Sequence, residues 1–383
     1  MNKLKTIAII GLGLSLGMTS CSDDDEQDPI TNNGGNTVST PDTYEFMRNS
    51  MSSVSYSGQT DRLNQLEELK AVLVSGDNGA SINAQTLKDM FSNVGDNGNG
   101  NFSFSSSKQL KNKTFELDRD NKYFENLFDS TAKASINGSN STPASNGVAG
   151  LLSRSNGASI LVDANGREFT QLIEKGLMGA TFYHQITNVY LTDSKIGETV
   201  DNTNLEQGQN YTEMEHHFDE AFGYVGAPTD FKSNYNGSGN VRFWAKYSNT
   251  ADDNIQMNDK LMTAYKRARQ AIVEKKYDVL DVEVKNIQFR FEQLVAATAI
   301  HYANETKIMT NDGDRLHVLS ECYAFTRALR YSNPEVRKLT QSEVDTLLGY
   351  IGDNYWNTTE SNLNLLINKL ASTYDLESVK SEL

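Results

Sequence analysis

The stretch EMEHHFDEAFGYVGAP, residues 213–228, places two adjacent histidines among acidic side chains. Because helix residues three and four positions apart share a face, four ionisable groups would cluster there: Glu213, His216, His217 and Glu220. Adjacent residues lie about 100° apart around a helix, so only one histidine is expected to point inward. Imidazole and carboxylate groups form zinc and iron sites and also act in general acid–base catalysis. The stretch therefore predicts either a pocket that uses these groups or a polar helix face.

Two further helices carry a histidine with a glutamate one turn later. His301 and Glu305 form one pair, and His317 and Glu321 form the other. These pairs could supply metal ligands from adjacent helices, although a hydrogen-bonded polar pair is the other interpretation. The zinc-peptidase motif H-E-x-x-H is absent, and Glu-x-x-His occurs once, at 213–216, where a di-iron bundle needs two. Iron or zinc is the expected metal if one is bound, and a catalytic role stays open.

Helical patterns must position these groups. Apolar residues recur at helical spacing over six segments, and two more helices are expected after them. The six segments are 61–76, 120–135, 168–191, 250–276, 284–309 and 312–332. Two stretches rich in Gly, Asn and Ser, 94–107 and 136–159, predict loops. The predicted fold is all-α, a multi-helix bundle with an irregular, loop-rich N-terminal third.

The N-terminal residues predict export and lipidation. A basic start, MNKLK, precedes a 13-residue apolar core that is too short to span a bilayer. The junction at Ser20 and Cys21 resembles a bacterial lipobox, and the acidic run that follows resembles the surface-export signal of Bacteroidetes-type lipoproteins. We therefore predict a lipoprotein signal peptide at 1–20, lipidation at Cys21, an acidic flexible tether at 21–41 and a helical domain at 42–383. The expected location is the outer membrane, at the cell surface.

The charge of the chain indicates which partners it can bind, and its cysteine content indicates how it is stabilised. The chain has 50 acidic and 35 basic side chains, a net charge of −15, which argues against nucleic acid or anionic lipid as a partner. Contact with the membrane is therefore expected through the lipid anchor. With Cys21 lipidated, Cys322 has no cysteine to pair with, so stability is expected from a large core rather than from disulfides.

Several segments together resemble a family of Bacteroidetes-type lipoproteins with an uncharacterised (DUF) domain, from about Tyr44 to the C-terminus. They are QLIEKGLMGA, MEHHFDEAFGYVGAP, RFWAKYS, AATAIHYAN and HVLSECYAF. That family is similar to the imelysins, helical surface proteins marked by G-x-H-x-x-E. The H-x-x-E part falls on His217 and Glu220, whereas Glu215 stands where the motif has glycine. The resemblance implies an imelysin-like domain at 42–383 and a role beside TonB-dependent receptors and imelysins in iron uptake.

The leading functional prediction is an outer-membrane-anchored lipoprotein that binds a ligand in iron or haem acquisition. His217 and Glu220 would form the core of its pocket. The secondary and partner residues would be Glu213, His216, His301 and His317. Two alternatives stay open: an imelysin-type metallopeptidase, with Glu220 as base and His217 as metal ligand, and a non-catalytic structural or interaction lipoprotein.

Overall fold

The predictions for the N-terminus concern residues that the structure does not describe. The structure is a computed structural model that describes residues 37–231 and 241–383. The signal peptide at 1–20, the lipidation site Cys21 and the tether as far as residue 36 lie outside these ranges. They therefore stay predictions.

The described residues form twelve α-helices and two short antiparallel hairpins, which confirms the predicted all-α, multi-helix class. The helices are α1 Ser57–Asp77, α2 Ala84–Ser92, α3 Asn121–Ser139, α4 Phe169–Leu177, α5 Asp193–Ile196, α6 Glu213–Gly223, α7 Phe243–Ile255, α8 Met257–Glu274, α9 Tyr277–Ile308, α10 Asp312–Ala328, α11 Gln341–Ile351 and α12 Glu360–Thr373. The hairpins pair β1 Met47–Arg48 with β2 Met51–Ser52, and β3 Gly150–Ser153 with β4 Ser159–Val162. No helix in the described ranges is both long enough and apolar enough to cross a membrane.

The 32-residue helix α9 forms the centre of the bundle, as its apolar middle predicts. It packs against α8, α10 and α12, and α4 packs on α10. Residues 291–300 are buried on every side of the helix, which is expected only for a helix surrounded by others. Trp244 of α7 is fully buried and packs edge-on against Phe291 and Phe325.

The segment 250–276 was predicted as one helix, but it forms the end of α7 and all of α8. The break is at Gln256, whose φ of 53° is left-handed. A side-chain oxygen of Asp252 accepts a hydrogen bond from the Asn258 backbone N–H at 2.7 Å, which holds the start of α8. A break of one residue hardly disturbs the apolar spacing, so the pattern does not reveal it.

The predicted helix at 168–191 begins as α4 and continues as two π-helical stretches, Met178–Tyr183 and Gln185–Tyr190. The chain packs closely here, since a Cβ added to Gly179 would lie 2.7 Å from the Cβ of Ala328 on α10. Wider π turns rotate the side chains that follow them away from their α-helical positions. The second π stretch ends beside α6.

Helix α6 is short and begins at Glu213. A capping box starts it, in which the Thr212 side chain and Glu215 bind each other's backbone N–H groups. The helix has 11 residues, and the histidine–glutamate group spans most of it. Gly223 permits close packing on α1, since an added Cβ would lie 2.6 Å from the Tyr56 Cβ.

Candidate functional site

The inner face of α6 carries a buried ion-pair cluster. Glu215 and Asp219, one turn apart, bind the buried Arg269 guanidinium at 3.0 Å and 2.9 Å. Arg48 binds Glu215 at 2.8 Å, and the Tyr44 hydroxyl donates to Asp219 at 2.8 Å. Burial raises the pKa of Asp219, although Arg269 opposes this. Each charge has an opposite partner, so this face ties α6 to α8 and to the N-terminal segment.

A second face carries His216 and Glu213. The Nδ1 atom of His216 is 3.0 Å from the Ser55 carbonyl oxygen, and the ring stacks on Tyr211 at 4.6 Å. Glu213 is exposed in the first turn, where a carboxylate is favourable beside the positive end of the helix dipole. The predicted secondary residues thus have local structural roles, and their role in a pocket stays a prediction.

His217 is buried, and both of its ring nitrogens contact one residue, Lys195 of α5. Nδ1 is 2.9 Å from the Lys195 carbonyl oxygen, which can only accept, so Nδ1 carries the proton. Nε2 is 3.1 Å from the Lys195 ammonium group and accepts from it. Burial lowers the pKa of His217, and the charge of Lys195 acts in the same direction. The imidazole is therefore neutral, with both nitrogens engaged.

Glu220 follows on the same side of α6 and is half-buried. Its Oε1 atom accepts hydrogen bonds from the Gln59 amide at 2.8 Å and from the Tyr190 hydroxyl at 3.2 Å. The rings of Tyr190 and Tyr224 lie 6.2 Å apart, and burial raises the pKa of both phenols, so both keep their protons. We name this region the Glu220 site, and it comprises Gln59, Arg62, Lys113, Tyr190, Lys195, His217, Glu220 and Tyr224.

Cations surround Glu220. Burial lowers the pKa of Lys113 most, and the positive charges of Arg62, Lys195 and Lys108 lower it further, whereas Glu220 raises it. Within the described ranges, no carboxylate oxygen lies within 4.0 Å of the charged nitrogens of these four side chains. The site therefore has a local excess of positive charge in a chain whose net charge is −15.

The lysine-bearing loop at 106–113 is held in place by buried side chains. Arg62 Nε donates to the Gln109 carbonyl at 3.0 Å. The Gln185 amide donates to the Lys113 carbonyl at 2.9 Å. Because a backbone held at both points cannot drift, Lys113 is positioned before any ligand arrives.

The π-helical stretches form one wall of the site. Tyr190 ends the second stretch, and Gln185 begins it. His184 lies between the two stretches, where burial lowers its pKa to about 4 and the charge of Lys113 adds to this effect. Single π turns occur frequently at functional sites, and here they bring a phenol and an amide towards the cations.

His317 belongs to a different buried charge network, between α4 and α10. Its Nδ1 atom is 2.8 Å from Glu168, and its Nε2 atom is 3.9 Å from Glu321. The Lys175 ammonium group lies 2.6 Å from Glu174 and 3.5 Å from Glu321. Although burial opposes it, hydrogen bonding to Glu168 raises the pKa of His317. Glu321, the predicted partner of His317, thus makes the longer contact. The closer partner is Glu168, at the N-terminus of α4.

His301 lies in a third place. It is 3.8 Å from Glu305, as its helical spacing predicts, and it contacts the Tyr302 ring at 5.0 Å. The described hydrogen bonds, ion pairs and ring contacts of His301 and His317 go to residues outside the Glu220 site. Over the described ranges, no group of three or more His, Cys, Asp or Glu side chains is placed to hold a metal ion. Iron or zinc binding, and ligand roles for His301 and His317, stay predictions.

Histidine–glutamate spacing does not identify the cations of the site. The signal that could have done so is KQLKNK at 108–113, three lysines in six residues of an acidic chain. Lys111 of this loop pairs with Glu125 at 2.6 Å, whereas Lys113 lies near Glu220 and Lys108 lies near Lys113. Arg62 and Lys195 are single cations in separate helices, and only the fold brings them here.

The described residues form a helical protein in which the half-buried Glu220 site is rich in cations. Elsewhere in the core, in the networks around Arg269 and Lys175, the charges are paired. The model of the family described as a domain of unknown function, DUF4856, matches residues 41–377, and the chain belongs to this family. No curated protein and no solved structure matches the chain. The predicted uncharacterised-domain family is therefore confirmed, whereas the Bacteroidetes-lipoprotein and imelysin parts of the resemblance stay predictions.

Proposed function

We propose that this protein is a lipid-anchored lipoprotein of the outer membrane that binds a ligand for iron or haem acquisition at the Glu220 site. The observation that supports this best is the convergence of α1 and the second π stretch on the half-buried carboxylate of Glu220, while α5 binds His217 one turn earlier on α6. A few convergent polar groups between helices are typical of a ligand site. The N-terminal sequence and its resemblance to iron-uptake lipoproteins support the location. TonB-dependent receptors and imelysins are the proposed partners.

Binding is tested on the full-length protein, extracted in detergent, beside a Lys113→Gln/Lys195→Gln double variant. Haem or a ferric chelate should raise the unfolding temperature of the wild type and not that of the double variant, because a ligand stabilises only the fold that binds it. Equal stabilisation of both proteins, or of neither when both are folded, would reject the Glu220 site as the ligand site.

Elemental analysis of the wild type and of a His217→Ala/Glu220→Ala double variant tests direct metal binding. Near-stoichiometric iron or zinc that disappears in the double variant would support a metal site and favour the metallopeptidase alternative. That alternative needs the Nε2 atom of His217 to exchange its contact with Lys195 for a metal ion.

The anchor is tested separately. A Cys21→Ser variant should move from the membrane fraction to the soluble fraction while it keeps its fold. If it stays in the membrane fraction, Cys21 is not the lipidation site.

A structural or interaction role is the second candidate, and the contacts of His217 favour it. Both ring nitrogens are used by Lys195, as in a polar group that only packs. In that case the His217→Ala/Glu220→Ala variant would have a changed unfolding temperature, but no ligand would change the unfolding temperature of either protein further.

A further inference from the structure

The Glu220 site holds more positive than negative charge. The Lys113 ammonium group lies 5.8 Å from the centre of the Tyr190 ring, whose hydroxyl binds Glu220. Burial lowers the pKa of Lys113, and Arg62 and Lys195 lower it further, while Glu220 acts in the opposite direction. The Oε1 atom of Glu220 binds neutral donors rather than one of these cations. One carboxylate therefore faces three or more cations.

Three other buried cations in the described ranges are neutralised at close range. Arg269, Lys175 and Arg327 each bind a carboxylate at 2.9 Å or less. Arg62 is only 5 % exposed, yet within the described ranges it binds two backbone carbonyls and lies against the Tyr224 hydroxyl rather than against a carboxylate. Burying a charge without a counter-charge is unfavourable. The contrast indicates that the counter-charge of Arg62 is supplied from outside the chain.

The hydroxyl of Tyr224 is an independent sign of the same ligand. It is fully buried and has no hydrogen-bond partner of good geometry among the described residues. Its pKa is raised by burial and lowered by the charge of Arg62 and by a loose hydrogen bond from the Arg62 guanidinium to the phenol oxygen. The hydroxyl proton is therefore the part that lacks an acceptor. A buried phenol and a guanidinium side by side are both donors, and an anion can accept from both.

We propose that the Glu220 site binds an anion that carries carboxylate or phosphate groups, through Lys113, Lys195 and Arg62. This inference rests on the proposed function and deepens it. An iron chelate or haem would be recognised by its acidic groups rather than by coordination of its metal to His217. The engagement of both His217 nitrogens by Lys195 is consistent with this mode of binding.

Glu220 then has a role opposite to that of a metal ligand. Its negative charge partly neutralises the cations before binding and repels an incoming anion. Glu220→Gln keeps the shape and an acceptor for Gln59 but removes that repulsion. It should therefore strengthen anion binding, whereas the loss of a metal ligand would weaken binding.

The test is isothermal titration of the full-length protein in detergent with citrate, ferric citrate and inorganic phosphate. For each anion that binds to the wild type, Lys113→Gln should raise the dissociation constant about tenfold, as expected for one lost charge-assisted hydrogen bond. Glu220→Gln should strengthen it. Lys111→Gln is the matched control, since it removes a lysine from the same loop that pairs with Glu125, and it should leave affinity unchanged. Citrate and phosphate distinguish a carboxylate from a phosphate ligand.

Failure of this inference differs from failure of the proposed function. If Fe³⁺ or Zn²⁺ alone binds, depends on His217 and is lost in Glu220→Gln, the anion inference is overturned while ligand binding at this site stands. If citrate binds with the expected variant pattern but neither ferric citrate nor haem does, the inference stands and the iron role is overturned. If no anion binds to the folded wild type, the inference is wrong.

Discussion

The ionisable side chains on two faces of helix α6 have opposite surroundings. On the inner face, Asp219 and Glu215 neutralise Arg269 at hydrogen-bond distance, and all three are buried. On the face that carries Glu220, a half-buried carboxylate meets neutral donors while cations stand nearby without a carboxylate within 4.0 Å in the described ranges. A charge that the chain neutralises itself indicates a structural role, and a charge that it leaves unneutralised indicates a ligand.

The same distinction separates the Glu220 site from the network around His317. That network also combines a histidine, acids and a lysine, but its charges contact one another directly. Histidine next to glutamate in sequence is therefore a weak guide to function. The stronger guide is whether the surrounding fold supplies the opposite charge.

The largest expected effect is on the inner face. Asp219→Ala removes one of the two carboxylates that bind the buried Arg269 and should lower the free energy of unfolding by roughly 3–5 kcal/mol, as when one partner of a buried ion pair is deleted. Glu220→Gln, one residue along, should change it by less than about 1 kcal/mol, because its neutral hydrogen bonds can persist. Urea denaturation of both variants measures this. Equal losses would abolish the distinction between the two faces.

A smaller, pH-dependent effect is expected in the His317 network. Burial, together with the Glu168 carboxylate, raises the pKa of Asp77 from 3.8 to about 7. The folded state therefore holds this proton more tightly than the unfolded state, and stability from this group is lost as the pH rises from about 4 to about 7. The wild type should therefore lose roughly 2–3 kcal/mol of its free energy of unfolding between pH 5 and pH 8 that Asp77→Asn does not lose, since the asparagine has no proton to release.

Urea titrations at both pH values measure this difference, with Asp314→Asn as the control. Although burial opposes it, hydrogen bonds from Ser155 and Arg154 lower the pKa of Asp314, so Asp314 is ionised at pH 5 and at pH 8. Asp314→Asn should therefore lower the free energy of unfolding by the same amount at pH 5 and at pH 8. If Asp77→Asn behaves like Asp314→Asn, the carboxyl group of Asp77 is ionised throughout.

Local patterns in the sequence are sufficient to predict the fold class and part of the site. The apolar middle of α9 predicts a central helix, and i,i+3 spacing correctly puts His217 and Glu220 within reach of one another on α6. The break at Gln256 leaves almost no trace in apolar spacing.

The remaining parts of the site depend on tertiary contacts that spacing does not encode. Gln59, Lys113 and Tyr190 come from three separate segments, and the π turns before Tyr190 follow from packing against α10. The buried acids Glu215 and Asp219 were passed over because the histidines beside them carry more recognisable chemistry. Their pairing with Arg269 spans about 50 residues of sequence and is visible only in the fold.

The smallest expected effect compares two buried phenols. Neither Tyr224 nor Tyr265 has a hydrogen-bond partner of good geometry for its hydroxyl within the described ranges, so replacing either by Phe should leave stability unchanged or raise it by about 1 kcal/mol. Their surroundings differ: Tyr265 packs against Phe218 and Phe222, whereas Tyr224 lies near Arg62. Citrate affinity should therefore fall severalfold in Tyr224→Phe and stay constant in Tyr265→Phe. Equal affinities in the two variants would show that the Tyr224 hydroxyl is a packing feature and that the ligand is held by cations alone.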